Sequence, residues 1–197
     1  TMHLKIEHEP IILHQYNKVA ADIRENAVVT CKVQAYPKPE FQWTFGTNTA
    51  PLVMGSDQHY EINTSSDNND VYTSQLTIKQ VRHNDYGEYN CRASNSLETI
   101  REPIKVQPKG PPEKPKNLDA SDIGSNFISL NWSPGFDGGL QNTKFFVLYK
   151  KVSIPSNEIN GDCGSYFTSS PDWSEFDCHR NYPCKITPLD QHSSYVF

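Results

Sequence analysis

Apolar and polar residues alternate in short runs along the chain, and Gly, Pro, Asn and Asp separate the runs. Ala27, Val29, Cys31 and Val33 fall on one face of an extended segment, as do Phe41, Trp43 and Phe45 on a second. Leu76 and Ile78, then Tyr89, Cys91 and Ala93, then Ile104 and Val106 repeat the same two-residue period. A period of two places every apolar side chain of a strand on one side of a sheet, so each run predicts a half-buried strand. No ten-residue window keeps a 3.6-residue apolar stripe with caps. The chain therefore reads as all-β, with turns about every 8 to 12 residues, as in a β-sandwich.

The segment Pro108-Lys109-Gly110-Pro111-Pro112-Glu113-Lys114-Pro115-Lys116 interrupts this pattern. Proline has no backbone donor, so a segment this rich in it cannot join a ladder and reads as a short, stiff linker. The expected organisation is a first domain over 1–108, a linker over 109–115 and a second domain over 116–197. The length of 197 residues and a 36% hydrophobic content suit two small cores better than one large one. A formal net charge of −5 argues against nucleic-acid binding, because phosphate recognition draws on surplus Lys and Arg. No run approaches the length of a bilayer-spanning helix, and the first residues lack the layout of a signal peptide.

The five cysteines are Cys31, Cys91, Cys163, Cys178 and Cys184, with no Cys-x-x-Cys pair among them. In a chain rich in Thr, Ser, Asn and Tyr, this spacing reads as disulfides formed in an oxidising compartment. The sequons Asn63-Thr64-Ser65 and Asn131-Trp132-Ser133 agree with secretion and mark Asn63 and Asn131 as candidate glycosylation sites.

Cys31, Trp43 and the run Asp85-Tyr86-Gly87-Glu88-Tyr89-Asn90-Cys91 resemble the immunoglobulin fold, and Ala35-Tyr36-Pro37-Lys38-Pro39 is similar to a turn of its I-set branch. The resemblance implies a Cys31–Cys91 disulfide across two sheets, packed on Trp43, with the Tyr89 hydroxyl turned back to the backbone. One departure is that the turn Asn95-Ser96-Leu97-Glu98 lacks the glycine common in that hairpin.

After the linker, Leu118, Ile128, Leu130, Trp132 and Pro134, then Phe145, Val147 and Tyr149, then Leu189, Tyr195 and Phe197 resemble a fibronectin type III domain. This implies a core built on Trp132 and Tyr149 and a corner at Leu189 to Tyr195. Asp137-Gly138-Gly139 recurs in such domains of adhesion receptors. The pattern stops within strand F, so the natural protein is expected to continue. An insert from about 155 to 183 carries or borders three cysteines. Cys163 with Cys178 is the expected pair, and Cys184 is the alternative partner. If Phe145, Val147 and Tyr149 point inward, Phe146 and Leu148 point outward as a possible interface. The expected cover is the insert, through Tyr166, Phe167, Trp173 and Phe176. In the first domain, the outward residues Gln42, Thr44, Asn90, Arg92 and Arg101 give a polar face.

The chemical motifs favour structural readings. Gly161-Asp162-Cys163-Gly164 resembles the nucleophile turn of chymotrypsin-like cysteine proteases, but the His, acid and barrels that such an enzyme needs are missing. Cys163, Cys178, His179 and Cys184 lack a zinc knuckle. Asp67-Asn68-Asn69-Asp70 lacks the glycine and closing glutamate of a calcium loop and suits a hairpin turn. Lys109, Lys114 and Lys116 read as a solvated linker. No enzyme activity, cofactor or metal is expected.

The tandem order is similar to adhesion and guidance receptors of the immunoglobulin superfamily, of the nephrin, echinoid and sidestep type. It implies the extracellular part of a single-pass plasma-membrane protein, reaching the membrane only through a C-terminal segment outside this sequence. The implied partner is a protein on the apposed or the same cell, met homophilically or heterophilically, with these two domains as a membrane-proximal spacer or lateral contact. The alternatives are the ectodomain of a receptor tyrosine kinase or phosphatase, or a structural array of such domains.

Overall fold

The computed structural model describes residues 6–13, 17–53, 58–67, 69–140, 142–152 and 173–197. It is all-β and divides into two compact units, Thr1–Pro112 with Gly138–Leu140, and Glu113–Asp137 with Gln141–Phe197. The insert's Cys163, Tyr166 and Phe167 lie outside the described residues, as does the Gly161–Gly164 segment.

Unit 1 is a sandwich of two four-stranded sheets. One sheet has the order β1 (His8–Ile12), β3 (Ala27–Tyr36), β6 (Val71–Ile78), β5 (Tyr60–Ser66). The other has β2 (Lys18–Ala20), β8 (Thr99–Gln107), β7 (Gly87–Ser94), β4 (Glu40–Phe45). Every pairing is antiparallel except that of β2 with β8, which is parallel. The two-residue period does what it predicts: Ala27, Val29, Cys31, Val33 and Ala35 are buried, and Val28 and Lys32 between them are exposed. Cys31 on β3 and Cys91 on β7 are bonded across the sheets, with Cα atoms 6.4 Å apart. Trp43 stands opposite Cys91 in the β4–β7 register and is 1% exposed. Its indole N–H donates to the Ser74 hydroxyl at 3.0 Å, satisfying a donor that burial would otherwise leave without water.

The corner before β7 is held by polar groups. A 3-10 turn over His83–Asp85 buries Asp85, whose Oδ2 accepts the Arg82 N–H at 2.6 Å and whose Oδ1 lies 2.9 Å from His59 Nε2. The Tyr89 hydroxyl donates to the Asp85 carbonyl at 2.9 Å. Burial pushes the Tyr89 phenol up from its ordinary value, so the hydroxyl stays a donor. Gly87 has φ +152°, and a Cβ there would stand 3.1 Å from the Phe45 ring. The β7–β8 turn closes without glycine because the Asn95 side-chain carbonyl accepts the N–H groups of Leu97 and Glu98 at 3.0 and 3.1 Å.

Lys109 is tied to unit 1 and differs in this from the solvated reading. Its N–H donates to Asp22 at 3.2 Å, and its Nζ lies 2.7 Å from Glu25 Oε1.

Unit 2 pairs two three-stranded sheets. One has the order β13 (Cys184–Ile186), β10 (Ile128–Ser133), β9 (Lys116–Ile123), and the other β12 (Ser174–His179), β11 (Phe145–Val152), β14 (Ser194–Val196). Leu130, Trp132, Val147, Cys178, Cys184 and Ile186 are its buried cluster, with Phe145, Tyr149, Phe176, Leu189 and Phe197 packed against them. Tyr149, Tyr195 and Phe197 form a ring cluster with centroids 6.2 to 6.4 Å apart. The Tyr195 oxygen accepts the Asp190 N–H at 2.9 Å, fixing the corner before β14.

The expected cysteine pairing is corrected in unit 2. Cys178 bonds to Cys184, not to Cys163. Both cysteines point into the core, 3% exposed, from the end of β12 and the start of β13. A turn of four residues brings the Cα atoms to 5.7 Å and joins the two sheets. Leu118 is 57% exposed and outside the core. β9 is an edge strand whose register to β10 shifts twice, and Asn117 in it has φ +55°, so the alternation that would turn Leu118 inward is broken.

Candidate protein-interaction faces

The outer face of β11 and β12 carries large exposed apolar side chains. Residues directly opposite in an antiparallel pair share a face. Phe146 pairs with Asp177 and Leu148 with Glu175, while Val147 pairs with Phe176 on the inner side. Trp173 immediately precedes β12, and the alternation of that strand puts it on the side of Glu175 and Asp177. Phe146, Leu148 and Trp173 are 51%, 52% and 43% exposed. Three large apolar side chains on neighbouring rows make a patch, unlike singly scattered ones. Phe176 belongs to the core and does not cover this face.

Acidic groups border the patch. Asp177 lies 3.2 Å from His179 Nδ1 and 3.8 Å from Lys144 Nζ, and its Oδ1 accepts the His179 N–H at 2.7 Å. Glu175 is exposed beside Leu148.

The outer face of β4, β7 and β8 in unit 1 is polar and carries both signs of charge, with Glu40, Glu88 and Lys105 exposed on it beside Arg92 and Arg101. Gln42, Arg92 and Arg101 form one row across the three strands, and Thr44, Asn90 and Pro103 form the next. Arg92 and Arg101 are exposed and directly opposite each other, a like-charge pairing that costs free energy within a sheet.

Both sequon asparagines are exposed, on the sheets behind these faces. Asn63 is on the edge strand β5, where it pairs with Gln75 and its side-chain NH2 donates to Glu61 at 3.0 Å. Asn131 is on the central strand β10, between the buried Leu130 and Trp132.

The remaining motifs keep structural roles. Cys178 and Cys184 are held in their disulfide, and among the described residues no group of three His, Cys, Asp or Glu side chains could hold a metal. Asp67 Oδ1 accepts the N–H groups of Asn69 and Val71 at 2.9 and 3.3 Å, an Asx turn closing the β5–β6 hairpin. No helix among the described residues is long and apolar enough to cross a membrane. Sequence reasoning missed the His59–Asp85 contact and the opposition of Arg92 to Arg101. The first has no motif at His59, and the second needs the β7–β8 register, which the turn length around Asn95 sets.

The inter-sheet disulfide, the indole packed beside it, the tyrosine corner and the parallel β2–β8 edge define an immunoglobulin-type sandwich. Residues 9–95 match the immunoglobulin domain family. It is 32% identical to human nephrin over 141 residues, which is 70% of this chain and 11% of nephrin. It is 27% identical over 127 residues to the cell adhesion molecule DSCAM of Gallus gallus, covering 64% of this chain and 6% of DSCAM. A solved structure of Dpr2 Ig1-Ig2 in complex with DIP-Theta Ig1-Ig3 matches 51% of this chain and 32% of that chain at 31% identity, with a TM-score of 0.46. The chain thus spans about a tenth or less of the length of these two curated relatives.

Proposed function

We propose that the chain is a non-enzymatic extracellular module of a single-pass cell-surface receptor that acts in cell–cell adhesion or recognition through protein contacts. The observation that carries this reading is a disulfide in each sandwich, Cys31–Cys91 and Cys178–Cys184. Such bonds persist in oxidising compartments and are rare in the cytosol. The similarity to nephrin and to a cell adhesion molecule supports the same class.

In this reading 1–108 is an I-set domain, 109–115 the linker and 116–197 a fibronectin type III domain. The second assignment is supported by Trp132 in the core, by Tyr149 against Tyr195, and by the Tyr195 oxygen at the corner. Asn63 and Asn131 carry N-linked sugar. The pair of domains serves as a membrane-proximal spacer with lateral contacts.

Non-reducing peptide mapping of protein from a secretory host tests this, together with aggregation of cells displaying the chain within its receptor. The expected result is both disulfides closed, sugar on Asn63 and cell clustering. Free thiols and bare sequons in folded material would remove the receptor reading and leave an intracellular array in its place.

A further inference from the structure

We propose that the chain binds a second copy of itself through unlike faces: the outer face of β11–β12 in one copy against the outer face of β4–β7–β8 in the other. This rests on the receptor reading above and names a partner for it.

Four observations converge. Phe146, Leu148 and Trp173 lie exposed on neighbouring rows of one face, where water gains nothing from their presence and a protein surface would. The residue opposite Leu148 is the exposed Glu175, while Asp177 opposite Phe146 is already met by Lys144 and His179, so Glu175 is the carboxylate the patch offers to a partner. Arg92 and Arg101 stand directly opposite each other on the outer face of unit 1, where each raises the energy of the other until an anion lies between or over them. A carboxylate from another surface relieves that repulsion, and guanidinium suits the role because its planar fork takes a carboxylate bidentately and its flat face stacks on an aromatic ring. The chain therefore carries a carboxylate beside large apolar side chains on one unit and an opposed arginine pair on the other.

The fourth observation concerns what else occupies the surface. Asn63 is on the β1–β3–β6–β5 sheet and Asn131 on the β13–β10–β9 sheet, both exposed. Sugar on either asparagine would shield the outer face behind the proposed contact and leave the two contact faces bare. An interface free of glycan in both units is what a lateral contact between receptors needs. Because the faces differ, the contact is heterologous and can repeat from copy to copy.

Sedimentation of the 197-residue chain from a secretory host, over a range of concentrations, tests the inference. The expected result is reversible self-association that weakens as salt is added. Arg92→Glu with Arg101→Glu should weaken it at least tenfold, and so should Glu175→Lys. An equimolar mixture of these two reversed forms, or one chain carrying all three changes, should associate again. Phe146→Ser with Leu148→Ser should abolish association. All variants should keep the parent melting temperature, since these side chains are exposed. A chain that stays monomeric at every concentration overturns the inference, as does association that ignores the reversals or is not regained in the mixture. If the chain is monomeric yet its receptor still clusters cells through another protein or an anionic glycan, the self-contact fails while the receptor reading stands.

Discussion

At the scale of single residues, two buried indoles make a contrast. The Trp43 N–H has Ser74 as its acceptor, whereas the Trp132 N–H is buried with no hydrogen-bond partner among the described residues. Trp43→Phe removes a made hydrogen bond and strands the Ser74 hydroxyl. Trp132→Phe removes a donor that gains nothing. Trp43→Phe should therefore cost about 1 to 2 kcal/mol more than Trp132→Phe in urea unfolding. Asp85 is a second such residue, because it holds His59, the Arg82 N–H and, through its carbonyl, Tyr89 at one corner. Asp85→Ala removes the carboxylate that meets the buried His59 ring and the Arg82 N–H, and should lower stability by about 3 kcal/mol in the same measurement. The Asp85-to-Cys91 run was legible as a corner in the sequence. His59 was not, since nothing in its neighbourhood marks a side chain that meets Asp85 from the other sheet.

At the scale of elements, the two disulfides close loops of very different length, 60 and 6 residues apart in sequence. Loop-closure entropy gives about 4 kcal/mol for the first and about 2 kcal/mol for the second. Replacing both members of each pair by serine should therefore lower stability in that order, read from denaturant midpoints of each variant. Ion pairs also tie segments that flank the strands: Lys109 to Glu25 at 2.7 Å and Lys79 to Glu61 at 2.9 Å. The hydrogen bond from Lys109 holds Glu25 below the ordinary glutamate value, and that from Lys79 does the same for Glu61. A carboxyl with a lowered folded value adds stability above its ordinary value and loses it as pH falls through the lowered one. Acid titration should show this loss, and Lys79→Met with Lys109→Met should flatten it. The period-two runs predicted β3, β4, β6, β7 and β8, because one face of each is covered and the alternation is strict. β9 escaped the same logic through its bulges, and the cysteine pair did so because three cysteines in one stretch leave the choice to the turn that brings two of them together.

At the scale of the whole molecule, the described residues hold two hydrophobic clusters, one around Trp43 and Leu76 and one around Trp132 and Ile186. Calorimetry should resolve two transitions, and Cys31→Ser with Cys91→Ser should move one of them. The faces proposed for binding are only partly readable from sequence. Phe146 and Leu148 were legible as outward residues from the pleat alone. Which polar groups stand beside them, and that Arg92 meets Arg101, depends on registers set by turns and by the β11–β12 pairing. By itself the sequence determined the all-β class, the strand faces, the Pro-rich break and the Cys31, Trp43, Tyr89, Cys91 core, since burial period and disulfide spacing are local or strongly patterned. The tertiary structure alone decided the Cys178–Cys184 bond, the exposure of Leu118, the His59–Asp85 contact and the charge opposed across β7 and β8. Each of these is a meeting of residues whose separation in sequence carries no periodic signal, and only the packed chain brings them within reach.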